Sequence, residues 1–195
     1  ANGQLIEAAA PDEKITFSYG ESFKRDLQKK SGAETQFEYN PAGQLVRAGK
    51  ATLTYDAAGN LSRKESPEVD QQFRFDALGR LAEIKTPSNT IKYGYSPDGQ
   101  RVTKDVGSGR THYVHDGVNL LMVLNQKGEP KQTFIHAGEI DSPLVLLEGN
   151  RALFYLRDHQ GSTVALADQN GEVVVEYEYE PFGKMTTKGT EKNNP

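Results

Sequence analysis

Few residues in this 195-residue chain could do chemistry, and their spacing argues against most of it. There is no cysteine, so thiolate catalysis and disulfide frameworks are excluded. His112, His115 and Asp116 form an H-x-x-H-D string that could hold a metal ion. On an extended strand, residues three apart face opposite sides, so the two imidazoles are not expected to converge. Asp158, His159 and Ser162 supply the parts of a hydrolase, but no third group is placed beside them. The recurrent D-x-x-G string could suggest calcium, yet each copy offers one carboxylate where calcium collects about six to eight oxygens. Glu176, Glu178 and Glu180 share one strand face and read as a solvated, mutually repelling row. A glycosidase pair would need two carboxylates facing each other across a sugar, which nothing here indicates. No catalytic residue, cofactor site or metal site is assigned.

The acids belong instead to a repeat. FEYNPAGQLVRA (37–48), LTYDAAGNLSRK (53–64), FRFDALGRLAEI (73–84) and YGYSPDGQRVTK (93–104) align on Gly43, Gly59, Gly79 and Gly99, spaced by 16 and then 20 residues. The aromatic before each turn is Tyr39, Tyr55, Phe75 or Tyr95, and two residues earlier stands Phe37, Leu53, Phe73 or Tyr93. Two residues after the glycine come Leu45, Leu61 and Leu81; the fourth copy departs, with Arg101 in that place.

This spacing describes a β-hairpin. Residues two apart project from the same face of a strand, so Leu53 and Tyr55 point together. The tetrads beginning at Asn40, Asp56, Asp76 and Ser96 match a type I turn closed by a left-handed residue. A short polar side chain at the first position can bond the turn's own backbone, and Pro41 and Pro97 pre-set φ at the second. Glycine at the fourth position adopts φ > 0 without a Cβ clash. The same tetrad returns at Asn125–Gly128, Asp158–Gly161, Asp168–Gly171 and Glu180–Gly183. Between these lie strand-like runs such as LLMVL (120–124), PLVLL (143–147), ALFYL (152–156), TVALA (163–167) and EVVVEYEYE (172–180).

The expected fold is therefore all-β, an antiparallel ribbon of about fourteen to sixteen strands with no convincing helix. GESFKRDLQKKSG (20–32) is the best helical candidate, with Phe23 and Leu27 four apart, but an irregular hairpin is favoured there. The polar residues 186–195 are expected to fray. Nine tyrosines and eight phenylalanines should make one dry face, stacked laterally between neighbouring hairpins. The opposite face, alternating Glu, Arg, Lys, Gln and Thr, should be wet.

Net charge is −4 and the isoelectric point about 5.6, so no basic face advertises nucleic acid or an anionic membrane. No apolar run approaches the ~20 residues that span a bilayer. ANGQLIEAAAPDEK at the start shows no signal peptide. The abrupt ends suggest a segment of something longer, and its terminal strands should leave edges open to self-association. Periodic tyrosines could also stack on sugar rings, so a carbohydrate- or cell-surface-binding β-repeat module is the alternative reading.

The tyrosine–aspartate copies resemble the YD repeats of the Rhs family of bacterial toxins, and are similar also to insecticidal toxin C components and to teneurins. YLRDHQGSTVALADQNGEVVVEYEYEPFGK (155–184) resembles the Rhs-associated core, and YVHDGVNLLMVL (113–124) its opening. The resemblance covers roughly residues 15 to 185. It divides the chain into a degenerate opening repeat (1–32), YD repeats (33–106), the start of the Rhs-associated core (107–185) and a polar tail (186–195). It implies a β-ribbon that spirals into a hollow shell around a C-terminal toxic domain. Its partners would be the rest of that shell and the enclosed toxin, and its location secreted, delivered by a bacterial export system, or at the cell surface. Family members free the toxin by self-cleavage at aspartates near an Asp-Pro-x-Gly-Leu-like stretch. This chain has no Asp-Pro dipeptide and ends at Asn193-Asn194-Pro195, so no catalytic residue is carried over. The implied role is that of a wall segment.

Overall fold

In a computed structural model, which describes residues 3–10, 13–20, 23–138 and 140–189, the regular structure is entirely antiparallel β. Nineteen strands occur among the described residues, more than the fourteen to sixteen anticipated. The excess comes from short turns that the D-x-x-G pattern does not mark. Gly49, Gly107, Gly117 and Gly149 each open a two-residue turn with φ of +58°, +58°, +57° and +58°, the hairpin form in which glycine takes the first central position. Two proline turns add to these: Ser66 N–H donates to Val69 O at 2.6 Å and Thr86 N–H to Asn89 O at 2.8 Å.

Two compact units divide the chain between residues 91 and 92, inside the run of YD repeats. The first contains β1 (Glu7–Ala10), β2 (Glu13–Tyr19), β3 (Arg25–Lys30), β4 (Ala33–Tyr39), β5 (Leu45–Ala48), β6 (Ala51–Tyr55), β7 (Leu61–Glu65), β8 (Asp70–Phe75) and β9 (Leu81–Lys85). Each pairs with its neighbour in chain order. Over residues 20–32 the irregular hairpin favoured above the helix is present, its strand β3 hydrogen-bonded to β2 and β4. β10 (Thr90–Tyr95) runs through the division. The second unit contains β11 (Arg101–Val106), β12 (Gly109–Asp116), β13 (Asn119–Leu124), β14 (Pro130–His136), β15 (Pro143–Glu148), β16 (Arg151–Arg157), β17 (Thr163–Ala167), β18 (Val173–Tyr179) and β19 (Met185–Gly189), again paired in chain order. Residues 186–189, expected to fray, are held in β19 by full pairing with β18; 190–195 lie outside the described residues.

One closure recurs. Asp56 N–H donates to Asn60 O at 2.9 Å and Gly59 N–H donates to Asp56 O at 3.0 Å, with Gly59 at φ +88°. The same two bonds close the turns at Asn40, Asp76, Ser96, Asn125, Asp158, Asp168 and Glu180. They also close the degenerate first copy, where Gly20 N–H reaches Lys24 O and Phe23 N–H reaches Gly20 O, each at 3.0 Å. Phe23 there occupies the glycine's position at φ +58° and is 67% exposed.

Just past the turn the register slips by one residue. Tyr55 faces Leu61 but Thr54 faces Arg63, leaving Ser62 as the extra residue of a β-bulge. Val46, Ala82, Val164 and Val174 are bulged in the same way. Bulges bend the strand and increase its twist, so the repeat carries its own curvature.

The first unit alternates as expected: Ala51, Leu53 and Tyr55 are half-buried while Thr52 and Thr54 are exposed. No residue from 33 to 91 is fully buried, and Ile15 and Phe17 are the buried hydrophobics described in this unit. The second unit differs. Phe134, Leu146 and Leu153 are register partners, as are Tyr155, Leu166 and Val175. Together with Val123 and Tyr177 they form a core in which Leu146 and Leu166 are 2% and 1% exposed. Successive members of this core stand on neighbouring strands, from Val123 on β13 to Tyr177 on β18, each side chain packed beside the next.

The opposite face there is not the alternating polar one expected. Ile135, Val145, Phe154 and Ala167 are paired across β14 to β17 on that side, and Leu147, Leu156 and Ala165 join them. Continuous apolar runs mark strands apolar on both faces, and LLMVL, PLVLL, ALFYL and TVALA are such runs.

Phe23→Gly should raise stability by about 1 kcal/mol, because an L side chain in the left-handed region costs about 1–2 kcal/mol and this exposed ring gives up little burial. Gly79→Val should lower it by about 1–3 kcal/mol, since a β-branched residue at φ > 0 is strained even in open space. Urea denaturation followed by circular dichroism measures both.

Candidate functional site

The polar residues at the turns act on backbone. Asp56 Oδ1 accepts from Ala58 N–H at 3.0 Å and Asn60 N–H at 2.8 Å, and Oδ2 accepts from Asn60 Nδ2 at 3.1 Å. Asp76 Oδ1 accepts from Leu78 and Arg80 N–H, both at 2.9 Å, and Oδ2 accepts from Arg80 Nε at 2.7 Å. Asp168 Oδ1 accepts from Asn170 and Glu172 N–H. Asn40, Asn125 and Ser96 present a neutral oxygen to the corresponding N–H. These bonds favour the ionised acid. The side-chain amide of Asn60, then its N–H, holds the Asp56 carboxyl below the usual range. For Asp76 and Asp168 the first cause is the backbone N–H of Arg80 and of Glu172.

The hydrolase-like trio is one of these turns. Asp158 Oδ1 accepts from the N–H groups of Gln160 and Ser162, both at 2.9 Å, so the carboxylate orients a loop and no imidazole. The H-x-x-H-D string is divided as well. His112 lies in the field of Asp105, whose carboxyl is lowered first by a bond from Arg110. His115 lies in the field of Asp98, lowered first by Ser96. Among the described residues no three His, Asp or Glu side chains are grouped as metal ligands. Nor is the glutamate row left to repel: Lys188 pairs with Glu178 at 2.6 Å and Lys184 with Glu180 at 3.4 Å.

The aromatic before each turn has a second use that spacing alone did not reveal. Tyr55 donates its hydroxyl to Leu45 O at 2.8 Å, tying the last residue of β6 to the first of β5. Tyr39 reaches Arg25 O at 3.0 Å, Tyr19 reaches Leu5 O at 2.8 Å and Tyr179 reaches Thr163 O at 2.9 Å. Successive turns along one edge are stitched by this hydroxyl, which Phe75 lacks. The signal was present as tyrosine in preference to phenylalanine.

Arg101, the departure in the fourth repeat, stacks at 5.5 Å from the Tyr93 ring centre and 4.7 Å from that of Tyr113. Arg25 holds the same frame position in the degenerate repeat, opposite Tyr19. Its guanidinium lies 5.8 Å from Phe17 and 4.2 Å from Phe37. Two of the repeats thus replace the leucine by a cation between two rings, while Lys24 covers Tyr39 at 5.3 Å.

Hollows are also present among the described residues. One of about 460 Å³ is lined by Glu34, Gln36, Glu38, Arg47, Gly49 and Lys50, with Arg47 and Glu38 ion-paired across it at 3.5 Å. Another, about 360 Å³, lies beside Asp116, Asn119, Thr133 and His136. His136 Nε2 is 2.8 Å from Leu120 O. Arg157 donates to Ser142 Oγ at 2.8 Å and Pro143 O at 3.1 Å, fastening the loop before β15. Burial pushes the Tyr155 hydroxyl well above its ordinary pKa, with Tyr177 adding to it, so it stays protonated. What these residues share is the fastening of chain to chain.

The sequence matches the family described as Teneurin YD-shell over residues 1–193. The tRNA3(Ser)-specific nuclease WapA of Bacillus spizizenii is 26% identical over 151 residues, 76% of this chain and 6% of that protein. The probable deoxyribonuclease RhsB of Dickeya dadantii is 34% identical over 100 residues, 47% of this chain and 7% of that protein. The solved structure of TcdB2-TccC3 aligns with 90% of this chain and 19% of its own, at 13% identity and a TM-score of 0.45. The chain thus spans a small fraction of these longer proteins.

Arg101→Ala should lower stability by about 1 kcal/mol through loss of the double cation–π contact. Arg101→Leu, which restores the leucine of the other repeats, should stay within about 0.5 kcal/mol of the parent. For the turn acids, a folded-state pKa below the ordinary 3.8 means stability present above that value and lost as pH falls through the lowered one. Thermal melts should be flat from about pH 7 to 5 and fall below about pH 4. Asp56→Asn with Asp168→Asn keeps the acceptor oxygen and should make that acid decline shallower.

Proposed function

Because the chain belongs to the teneurin YD-shell family, we propose that it is a non-catalytic wall segment of an Rhs-type shell enclosing a toxic domain of the same polypeptide. That polypeptide would be exported or delivered from a bacterial cell. The observation that carries this reading is the repeated closure itself. One turn geometry with its two backbone bonds recurs from β2 to β19, with a bulge past several of these turns and a tyrosine stitch from Tyr19, Tyr39, Tyr55 and Tyr179, so each hairpin presents the next with a paired backbone.

A barrier needs such uniformity, because its permeability is set by its weakest seam. Backbone pairing leaves few unsatisfied polar groups between strands. The turn acids, spent on loop N–H groups, strengthen the seams' ends. An enclosure of this kind would retain cargo through many weak contacts and has no need of a tight pocket. Carbohydrate recognition, the other reading, is disfavoured by ring faces that cations already occupy at Tyr39, Tyr93 and Tyr113.

In the full-length parent polypeptide, the downstream domain should resist added protease while the wall is intact. Introducing Gly59→Val together with Gly79→Val, which strains two adjacent turns, should make that domain cleavable at least tenfold faster. Equal cleavage rates, with the turns shown to be disrupted by hydrogen exchange, would remove the wall reading.

A further inference from the structure

We infer that the outer face of β14 to β17, opposite the core, is a self-complementary surface on which a second copy of this chain docks. Ile135, Leu144, Leu147, Phe154, Leu156 and Val173 are between 38% and 51% exposed. Register places Ile135, Val145, Phe154, Ala167 and Val173 in one row across the strands, and Leu156, Ala165 and Glu176 in another. Leu144 is the bulge residue beside Val145.

The surface has relief. Ala165 and Ala167 are only 7% and 6% exposed, although they lie on the same outer face as the side chains just named. They form the floor of a trough along β17, walled by Phe154 and Leu156 on β16 and by Val173 on β18. Wall and trough occupy adjacent strands. A two-fold axis between β16 and β17 would set Phe154 of each copy over the alanines of the other, as an isologous interface requires. Sheets packed face to face stand about 10 Å apart, the depth at which such side chains interdigitate.

Size selects this occupant and sets its affinity. Six half-exposed apolar side chains amount to roughly 500 Å² per copy, at the upper end of what monomers leave uncovered. Two such faces with their polar rim reach about 1,200 Å², the lower limit for specific association. The dimer is therefore weak and reversible. Glu176 and Lys188, register partners on β18 and β19 with Lys188 ion-paired to Glu178, border the patch with opposite charges. The inference does not depend on the wall reading, since the face belongs to the 195-residue chain itself.

Sedimentation equilibrium of the full chain from about 1 to 300 µM tests it. The wild type should pass from monomer to dimer within that range. Phe154→Lys and Val173→Lys should each weaken association at least tenfold while keeping the wild-type circular dichroism spectrum, the two side chains being 41% and 51% exposed. Ala167→Leu adds apolar surface but fills the trough, and should weaken association similarly. A wild type that stays monomeric throughout overturns the inference and leaves the face to another segment or cargo. Lysine variants that associate like the wild type overturn it in favour of pairing through strand edges. Stronger association of Ala167→Leu overturns it in favour of unspecific adhesion.

Discussion

The structure depends on one local constraint: a strand can reverse after three residues only if the last of them turns left-handed. At Gly59 and its counterparts that residue sits at φ between +74° and +93°, a region glycine enters without steric cost. From this follow the two closing backbone bonds and the one-residue register slip at Ser62 and its equivalents. Because the bulge bends and twists the strand that follows, curvature is dictated at the turn, one hairpin at a time. Phe23 shows the constraint from the other side. The first repeat keeps the turn with a bulky residue in the strained position, held by the strands on either side.

The polar residues serve the same geometry. A carboxylate beside a reactive-looking histidine or serine invites a catalytic interpretation, but at Asp158 the oxygen is already occupied by two loop N–H groups. Tyr55 donates to a carbonyl across the strand pair, and Arg101 fills between two rings the place leucine fills elsewhere. Each contact links one backbone segment to the next. Chemistry that would need convergent groups is thereby dispersed along the ribbon.

The two units spend their apolar residues differently. In the repeats proper, one face alternates and its aromatics remain half-buried. In β13 and β15 to β17 the runs are largely apolar, so one face carries a buried core around Leu146 and Leu166 while the other carries exposed apolar side chains. A sheet with a single dry face is adequate for a wall. One with two is incomplete as a free surface, because exposed apolar area on this scale is normally covered.

Turn chemistry and strand periodicity are local properties, which is why the all-β fold, the hairpin frame and the D-x-x-G closures could be read from residue types at fixed offsets. The two-residue glycine turns were equally local but carry only one marker residue each, and four of them went unread at Gly49, Gly107, Gly117 and Gly149. Tertiary structure alone decided which atoms the Tyr55 hydroxyl and the Arg101 guanidinium reach, since their partners lie 10 and 12 residues away on the neighbouring strand. It also decided that β13 to β18 enclose one face and leave the other bare. An apolar run states that burial is favourable; only the path of the sheet determines which side obtains it.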